Sequence, residues 1–271
     1  MKKCATIIFY SALFLLFSCT GSKSGKNEQP QAPKGSEIKI DTIKIHDKYT
    51  FAYVKEDAPI LTIDINLPTI DLGNKENTAR LDSTLALEIF SLPFTLRESC
   101  DSFISNQKKD FDWLRNEYHN LKEEGMPPGL MRQYCDIVGK TLRGYKGYMN
   151  YIVSREEYYG GAHPYTYHII LNIDPTTGTE ITFYDIFKEG CEETLTAMLL
   201  DKLMKHANAS TIDELHEKGY LYLDTGLFIS QNFLLGNDSV TFLYNRYEIA
   251  PYALGDIKLT LDYRTLKDIM K

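Results

Sequence analysis

Few residues of this chain stand in patterns that do chemistry. His163 sits in Tyr158-Tyr159-Gly160-Gly161-Ala162-His163-Pro164, and imidazole changes charge near neutral pH. As a general acid or base it would serve a hydrolase. As a metal ligand it would need companions, and no His or Cys cluster with zinc spacing supplies them. The other reading is a turn of demanding backbone geometry, in which Gly160, Gly161 and Pro164 shape the chain and His163 holds it by hydrogen bonding. Ser105 and Lys108 have the Ser-x-x-Lys spacing of penicillin-binding proteins, but the Ser-Asp-Asn and Lys-Thr-Gly elements that complete that site are absent. Glu156 and Glu157 are adjacent, so a strand points them to opposite faces, which is poor for paired carboxylates. The chain has no Gly-x-Ser-x-Gly, Walker-type loop or His-Glu-x-x-His. No catalytic residue, metal or cofactor is assigned.

The aromatic residues are more informative as a set. There are 19 tyrosines against a single tryptophan, Trp113. Tyr158, Tyr159 and Tyr165 surround His163, while Tyr244, Tyr247 and Tyr252 gather near Glu248. A tyrosine offers a flat apolar body with a polar tip, which suits sugar and protein surfaces, though strands favour it in any case. The candidate ligand-binding set is Tyr158, Tyr159, His163, Tyr165, Tyr247, Glu248 and Tyr252. The stretch 247–255 is apolar and aromatic where a surface loop should be polar, and Pro251 withholds a backbone donor. It is expected to arch, partly buried, against the Gly160–His163 turn, with Glu248 partnering His163.

The start of the chain reads as an export signal. Lys2 and Lys3 precede an apolar run from Ile7 to Phe17, too short for a membrane span of roughly 20 residues but right for a signal peptide. Leu16-Phe17-Ser18-Cys19 resembles the lipobox of bacterial lipoproteins, which implies cleavage after residue 18 and a lipid on Cys19. Two or three acyl chains anchor stably. Residues 19–36 are rich in Gly, Ser, Lys, Gln and Pro, the composition of a disordered tether. No acidic run follows Cys19, which favours a periplasm-facing lipoprotein of the cell envelope over a surface one.

The net charge is −7, and loss of Lys2 and Lys3 makes the mature chain two charges more acidic. With no basic stripe, nucleic acid is not an expected partner; a cationic one is compatible. Cys4 leaves with the signal peptide, and Cys100, Cys135 and Cys191 remain, an odd number with no zinc pattern. They read as buried small apolar residues, with one disulfide among them possible.

The elements that must position these residues follow from periodicity. Ile38 and Ile40 share a face, and Ile43 and Ile45 resume on the opposite phase, as if a bulge sat at Asp41-Thr42. Leu61, Ile63, Ile65 and Leu67 alternate as a strand, closed by Pro68 and Gly73. Helices follow over Leu81–Phe90 and Leu96–Leu121. Residues 131–158 read as strands bent at Gly139, Gly144 and Gly147. Tyr165–Ile173 alternates into an Asp174–Gly178 hairpin, and Ile181 and Phe183 continue the returning strand. Helices over 192–206 and from Thr211 precede strands at 227–235, 240–244 and 257–263. Strand and helix runs do not alternate regularly, so the class is α+β, a largely antiparallel sheet with packed helices in two subdomains, 37–129 and 130–271.

Two stretches then carry a family resemblance. One is Gly160-Gly161-Ala162-His163-Pro164 with the following strand, the Asp-Pro-Thr-Thr-Gly turn and Phe183-Tyr184-Asp185-Ile186-Phe187. The other is Phe242 to Gly255, containing Tyr247-Glu248-Ile249-Ala250-Pro251-Tyr252. Together they resemble the RsiV-like extracytoplasmic domain family, the domain shared by the lysozyme-sensing anti-sigma factor RsiV and the deacetylase PdaC. The resemblance spans roughly residues 150–271. It implies an α+β fold outside the cytoplasm and no activity of its own. The cytoplasmic and deacetylase domains of those relatives have no counterpart in this sequence. The expected function is therefore non-catalytic binding or sensing of a cell-wall glycan or a secreted protein such as lysozyme. The alternatives are a cell-wall hydrolase using His163 and a purely structural envelope lipoprotein.

Overall fold

The computed structural model describes residues 38–51, 58–125, 128–221, 223 and 226–271. The signal peptide, Cys19 and the tether expected over 1–36 lie outside the described residues. Among the described residues no helix is long and apolar enough to cross a membrane.

The described residues open with the antiparallel pair β1 (Lys39–Thr50) and β2 (Ile60–Asp71), then α1 (Lys75–Phe90), α2 (Leu96–Glu124) and the short α3 (Pro128–Met131). These helices carry the chain back so that β3 (Arg132–Arg143) pairs with β2 in parallel. Strands β4 (Met149–Tyr158), β5 (Tyr165–Asp174) and β6 (Thr179–Glu180) extend the sheet antiparallel, giving six strands in chain order. The expected α+β class with a largely antiparallel sheet holds.

Odd-numbered side chains of β2 to β5 (Leu61, Ile63, Ile137, Tyr151, Val153, Leu171) face α1 and α2 and form the first core. Both helices are locally encoded. Asn74 accepts from the Asn77 amide at 3.0 Å, and Thr95 with Glu98 makes a reciprocal capping box. Leu81, Leu85 and Ile89 of α1 and Phe111, Leu114 and Tyr118 of α2 are buried at helical spacing.

Local expectations change at several points, among them the strand expected over 227–235, which is confined to Phe233–Leu235. No bulge interrupts β1: its register with β2 runs unbroken, Ile43 is buried, and Ile38 and Ile40 stay exposed on the opposite face. β2 passes through Pro68, because pairing with β3 ends at Asn66 and the strand is an edge on that side beyond it. Gly139 lies inside β3 rather than at a bend. A Cβ there would stand 2.8 Å from Pro68 Cδ and 2.9 Å from Leu67 Cδ2, so close approach is what requires glycine. Finally, Thr182 caps through Asp185 and turns Phe183–Ile186 into the short helix α4, ending the strand at Glu180.

After α4 come α5 (Glu192–Ala207) and α6 (Ile212–Glu217), then a three-stranded antiparallel sheet of β7 (Phe233–Leu235), β8 (Ser239–Tyr244) and β9 (Ile257–Asp262), and last α7 (Tyr263–Leu266). One face of this small sheet (Phe242, Tyr244, Leu259, Leu261) packs on Leu195, Leu199 and Leu203 of α5 to make the second core. The division between cores falls near residues 174–181, after β5, and not at 129/130: β3 to β5 belong to the same sheet as β2. Residues 36–271 form one compact unit.

Three asparagines join the two sheets. Asn232 accepts from Ile170 N–H and donates to the His168 carbonyl, both at 2.8 Å. Asn245 accepts from His168 N–H at 2.7 Å. Buried Asn172 donates to the Phe233 carbonyl and accepts from Leu235 N–H. The outer edge of β5 would otherwise expose unpaired amides, and side-chain amides take the place of a further strand. Cys100, Cys135 and Cys191 are all free and buried, and burial pushes the Cys100 thiol up to about 12.

Candidate functional site

The large sheet has a second face, away from α1 and α2. It carries the even-numbered side chains of β3 to β5, and at the end holding the Gly160–Pro164 turn it is acidic and aromatic. Gly160 and Gly161 have φ of 100° and 114°, a left-handed backbone that glycine alone adopts without strain. Tyr158 closes the turn by donating to the Gly161 carbonyl at 2.9 Å. His163 is then fixed on both ring nitrogens. Nδ1 lies 3.0 Å from the Pro164 carbonyl, which only accepts, so Nδ1 carries the proton. In the tautomer this sets, Nε2 can accept from the Tyr247 hydroxyl, 3.0 Å away.

The segment between β8 and β9 arches over this turn as expected. His163 stacks on Tyr252 with centroids 3.7 Å apart, and the Arg246 guanidinium stands 4.5 Å from the centre of the Tyr252 ring. Arg246 also donates to Thr166 Oγ1 at 3.3 Å and lies 3.8 Å from Asp256, whose other oxygen meets His168 Nε2 at 3.0 Å. Tyr247 has φ 70°, unusual for a bulky side chain. Its N–H donates to the Ala250 carbonyl, and Glu248 N–H donates to the Asn245 carbonyl. This held turn projects the Tyr247 ring outward beside His163, 46% exposed.

Glu248 does not partner His163. Its carboxylate turns back to accept from Asn245 N–H at 2.9 Å, and burial raises its pKa. It is a brace of the arch. Tyr159 and Tyr165 also leave the expected set. Odd-numbered positions of β4 and β5 face α2, where Tyr159 adjoins Glu157 and Arg155, and Tyr165 packs on Tyr167. Of the seven candidate residues, the fold gathers Tyr158, His163, Tyr247 and Tyr252.

It adds neighbours that periodicity left unmarked. Asp64, Asp136, Glu156 and Thr166 are direct cross-strand partners on β2, β3, β4 and β5, so three carboxyl groups stand in a row across the face. Asp136 is in the middle. Partial burial raises its pKa, and Asp64 and Glu156 on either side raise it further. Glu156 accepts from the Tyr134 hydroxyl at 2.7 Å and from Thr166 at 3.2 Å. The Tyr134 hydroxyl is pushed up to about 12, first by that hydrogen bond. Asp64 meets His46 Nδ1 at 2.6 Å. Thr166, shared by Glu156 and Arg246, links the carboxyl row to the aromatic stack. No group of three or more His, Cys, Asp or Glu side chains among the described residues is arranged to hold a metal ion.

Residues 184–264 match the model of a family described as a protein of unknown function, DUF3298. That span contains Arg246, Tyr247 and Tyr252 and most of the second core. Two solved structures from that family are similar over nearly the whole chain. One, from Bacteroides fragilis, is 24% identical with a TM-score of 0.74, covering 88% of this chain and 94% of that one. The other, from Pseudomonas aeruginosa, is 20% identical with a TM-score of 0.54, covering 86% of this chain and 95% of that one. Both likenesses concern the fold, and they extend it over both cores. No curated protein matches the chain.

Proposed function

We propose that this chain is a lipid-anchored, periplasm-facing envelope protein that captures a basic secreted protein, such as a lysozyme, on the acidic–aromatic face, without catalysis. The observation that carries the reading is the juxtaposition of exposed, positioned rings (His163, Tyr247) with the Asp64–Asp136–Glu156 row. Ring faces and carboxylates together suit the guanidinium and ammonium groups of a basic partner, and aromatic side chains anchored by hydrogen bonds lose little entropy on binding. The acidic net charge would steer such a partner inward. The RsiV-like resemblance, which includes a lysozyme-sensing branch, points the same way.

The hydrolase reading has less support. Both nitrogens of His163 are engaged by Pro164 and Tyr247, and among the described residues it meets no carboxylate that would orient it as a base. A cell-wall glycan remains the second reading, favoured by the flat exposed rings of His163 and Tyr247.

Surface-immobilised protein titrated with lysozyme and, separately, with soluble peptidoglycan fragments tests the proposal. Lysozyme should bind with strong salt dependence, and Tyr247→Ala and Asp136→Asn should each weaken it by about tenfold. Glu248→Gln should lower thermal stability yet leave binding per folded molecule unchanged. Fragments binding in place of lysozyme would move the assignment to the glycan. Lysozyme affinity indifferent to Tyr247 and Asp136 would overturn the site.

A further inference from the structure

The other end of the same sheet face has the opposite character. Where the small sheet leans away from the large one, a cleft of about 410 Å³ opens between them, within the ~300–1,000 Å³ typical of small-molecule sites. Val138, Leu142, Ile152 and Ile170 form one wall, and Leu234 and Leu243 of the small sheet form the other. A second groove of about 370 Å³ shares Leu142 with the cleft and runs to Ile38 and Ile40 at the edge strand β1. The two make an elongated apolar track, along which Val138 is 50%, Leu142 45% and Ile40 53% exposed. Contiguous exposed apolar surface of this kind marks a binding site.

Among the described residues the charges along the track are all of one sign. Lys140 on the large sheet and Lys258 on the small sheet line opposite walls of the cleft, and Arg143 lines the groove. Among the described residues neither cavity is lined by an Asp or Glu, although the chain carries 37 acidic against 30 basic residues. Among the described residues none of the three cations has a carboxylate partner, whereas Lys108, Arg155 and Lys205 each do. Apolar length with unpaired ammonium groups at its mouth is the complement of an anionic amphiphile.

We infer that the inter-sheet cleft binds a long-chain carboxylate of the fatty-acid class, its head group between Lys140 and Lys258 and its chain running past Leu142 toward Ile40. The alkyl chain covers the exposed aliphatic side chains, each buried methylene contributing through the hydrophobic effect. The carboxylate supplies the counter-charge that the two lysines lack. This site adjoins the acidic–aromatic face at His168, which lines the cleft and pairs with Asp256, and does not depend on what that face binds.

The whole chain carrying Cys19→Ala, purified without detergent, is titrated calorimetrically with dodecanoate, dodecanol and dodecyltrimethylammonium. Dodecanoate should bind one-to-one and more tightly than the alcohol, and the cation, whatever it does at the acidic–aromatic face, should not displace dodecanoate. Lys140→Ala with Lys258→Ala should weaken dodecanoate by about tenfold or more while leaving the alcohol unchanged. Ile170→Trp should block the cleft to both, with an unchanged circular dichroism spectrum confirming that it folds. Absence of saturable dodecanoate binding would overturn the inference, as would its displacement by the cation or affinity indifferent to the two lysines.

Discussion

Asp136→Asn is the substitution that most directly separates what the acidic row does for function from what it costs the fold. Asp136 stands between Asp64 and Glu156 on neighbouring strands, and both raise its pKa after partial burial does. Directly opposed like charges in a sheet each cost about 0.2–1 kcal/mol, so relief from two neighbours should stabilise the variant by about 0.4–2 kcal/mol at neutral pH. At about 2–4 °C per kcal/mol for domains of this size, the melting temperature should rise by about 1–8 °C. The pH dependence follows from the direction of the shift. A carboxyl whose folded pKa lies above its unfolded one takes up a proton more readily when folded. Its ionisation therefore penalises the native state in full above the raised folded pKa, and not at all below the ordinary value of 3.8. The advantage of the variant should thus be largest near neutrality and close as the pH falls toward about 4. Thermal unfolding followed by circular dichroism at a series of pH values measures it. Loss of stability at neutral pH, or a gain that persists unchanged in acid, would refute the reasoning. If the variant also loses affinity for a basic partner, the row is a surface that sacrifices stability for binding.

Two further outcomes are expected. Gly139→Ala should destabilise by about 1–3 kcal/mol in urea unfolding, because the added methyl overlaps the Pro68 ring and Leu67 in a packed sheet; an unchanged midpoint would show that β2 yields there. Cys19→Ala should move the protein from the membrane fraction to the soluble or unprocessed one, and recovery of the variant still firmly membrane-bound would remove the lipid anchor.

Much of the local structure was legible because it is local. Alternation at Leu61–Leu67 and Tyr165–Ile173, three-and-four spacing in α1 and α2, and the glycines before His163 each reflect backbone geometry within a few residues. The misreadings arose where a distant contact overrode the pattern. Pro68 is tolerated inside β2 because β3 stops pairing at Asn66. Gly139 serves close packing against Leu67 and Pro68 rather than a bend. Ile38 and Ile40 looked like one half of a bulged strand and instead line an exposed groove on the face opposite Ile43.

Local pattern was enough for the α+β class, most helices and strands, the meeting of the Gly160–His163 turn with the Tyr247–Gly255 arch, and the lack of familiar catalytic spacings. Which candidates share a face is set by packing between distant segments. Strand parity sends Tyr158 to one side of the sheet and Tyr159 and Tyr165 to the other, but which side lies under α2 depends on core packing. The row of Asp64, Asp136 and Glu156 depends on register between strands brought together by a helical crossover, and a single-residue slip would scatter it. The cleft between the sheets depends on how β7 and β8 seat against β5, through Asn172, Asn232 and Asn245. Those contacts join residues some 60 to 80 positions apart, beyond the reach of any local pattern.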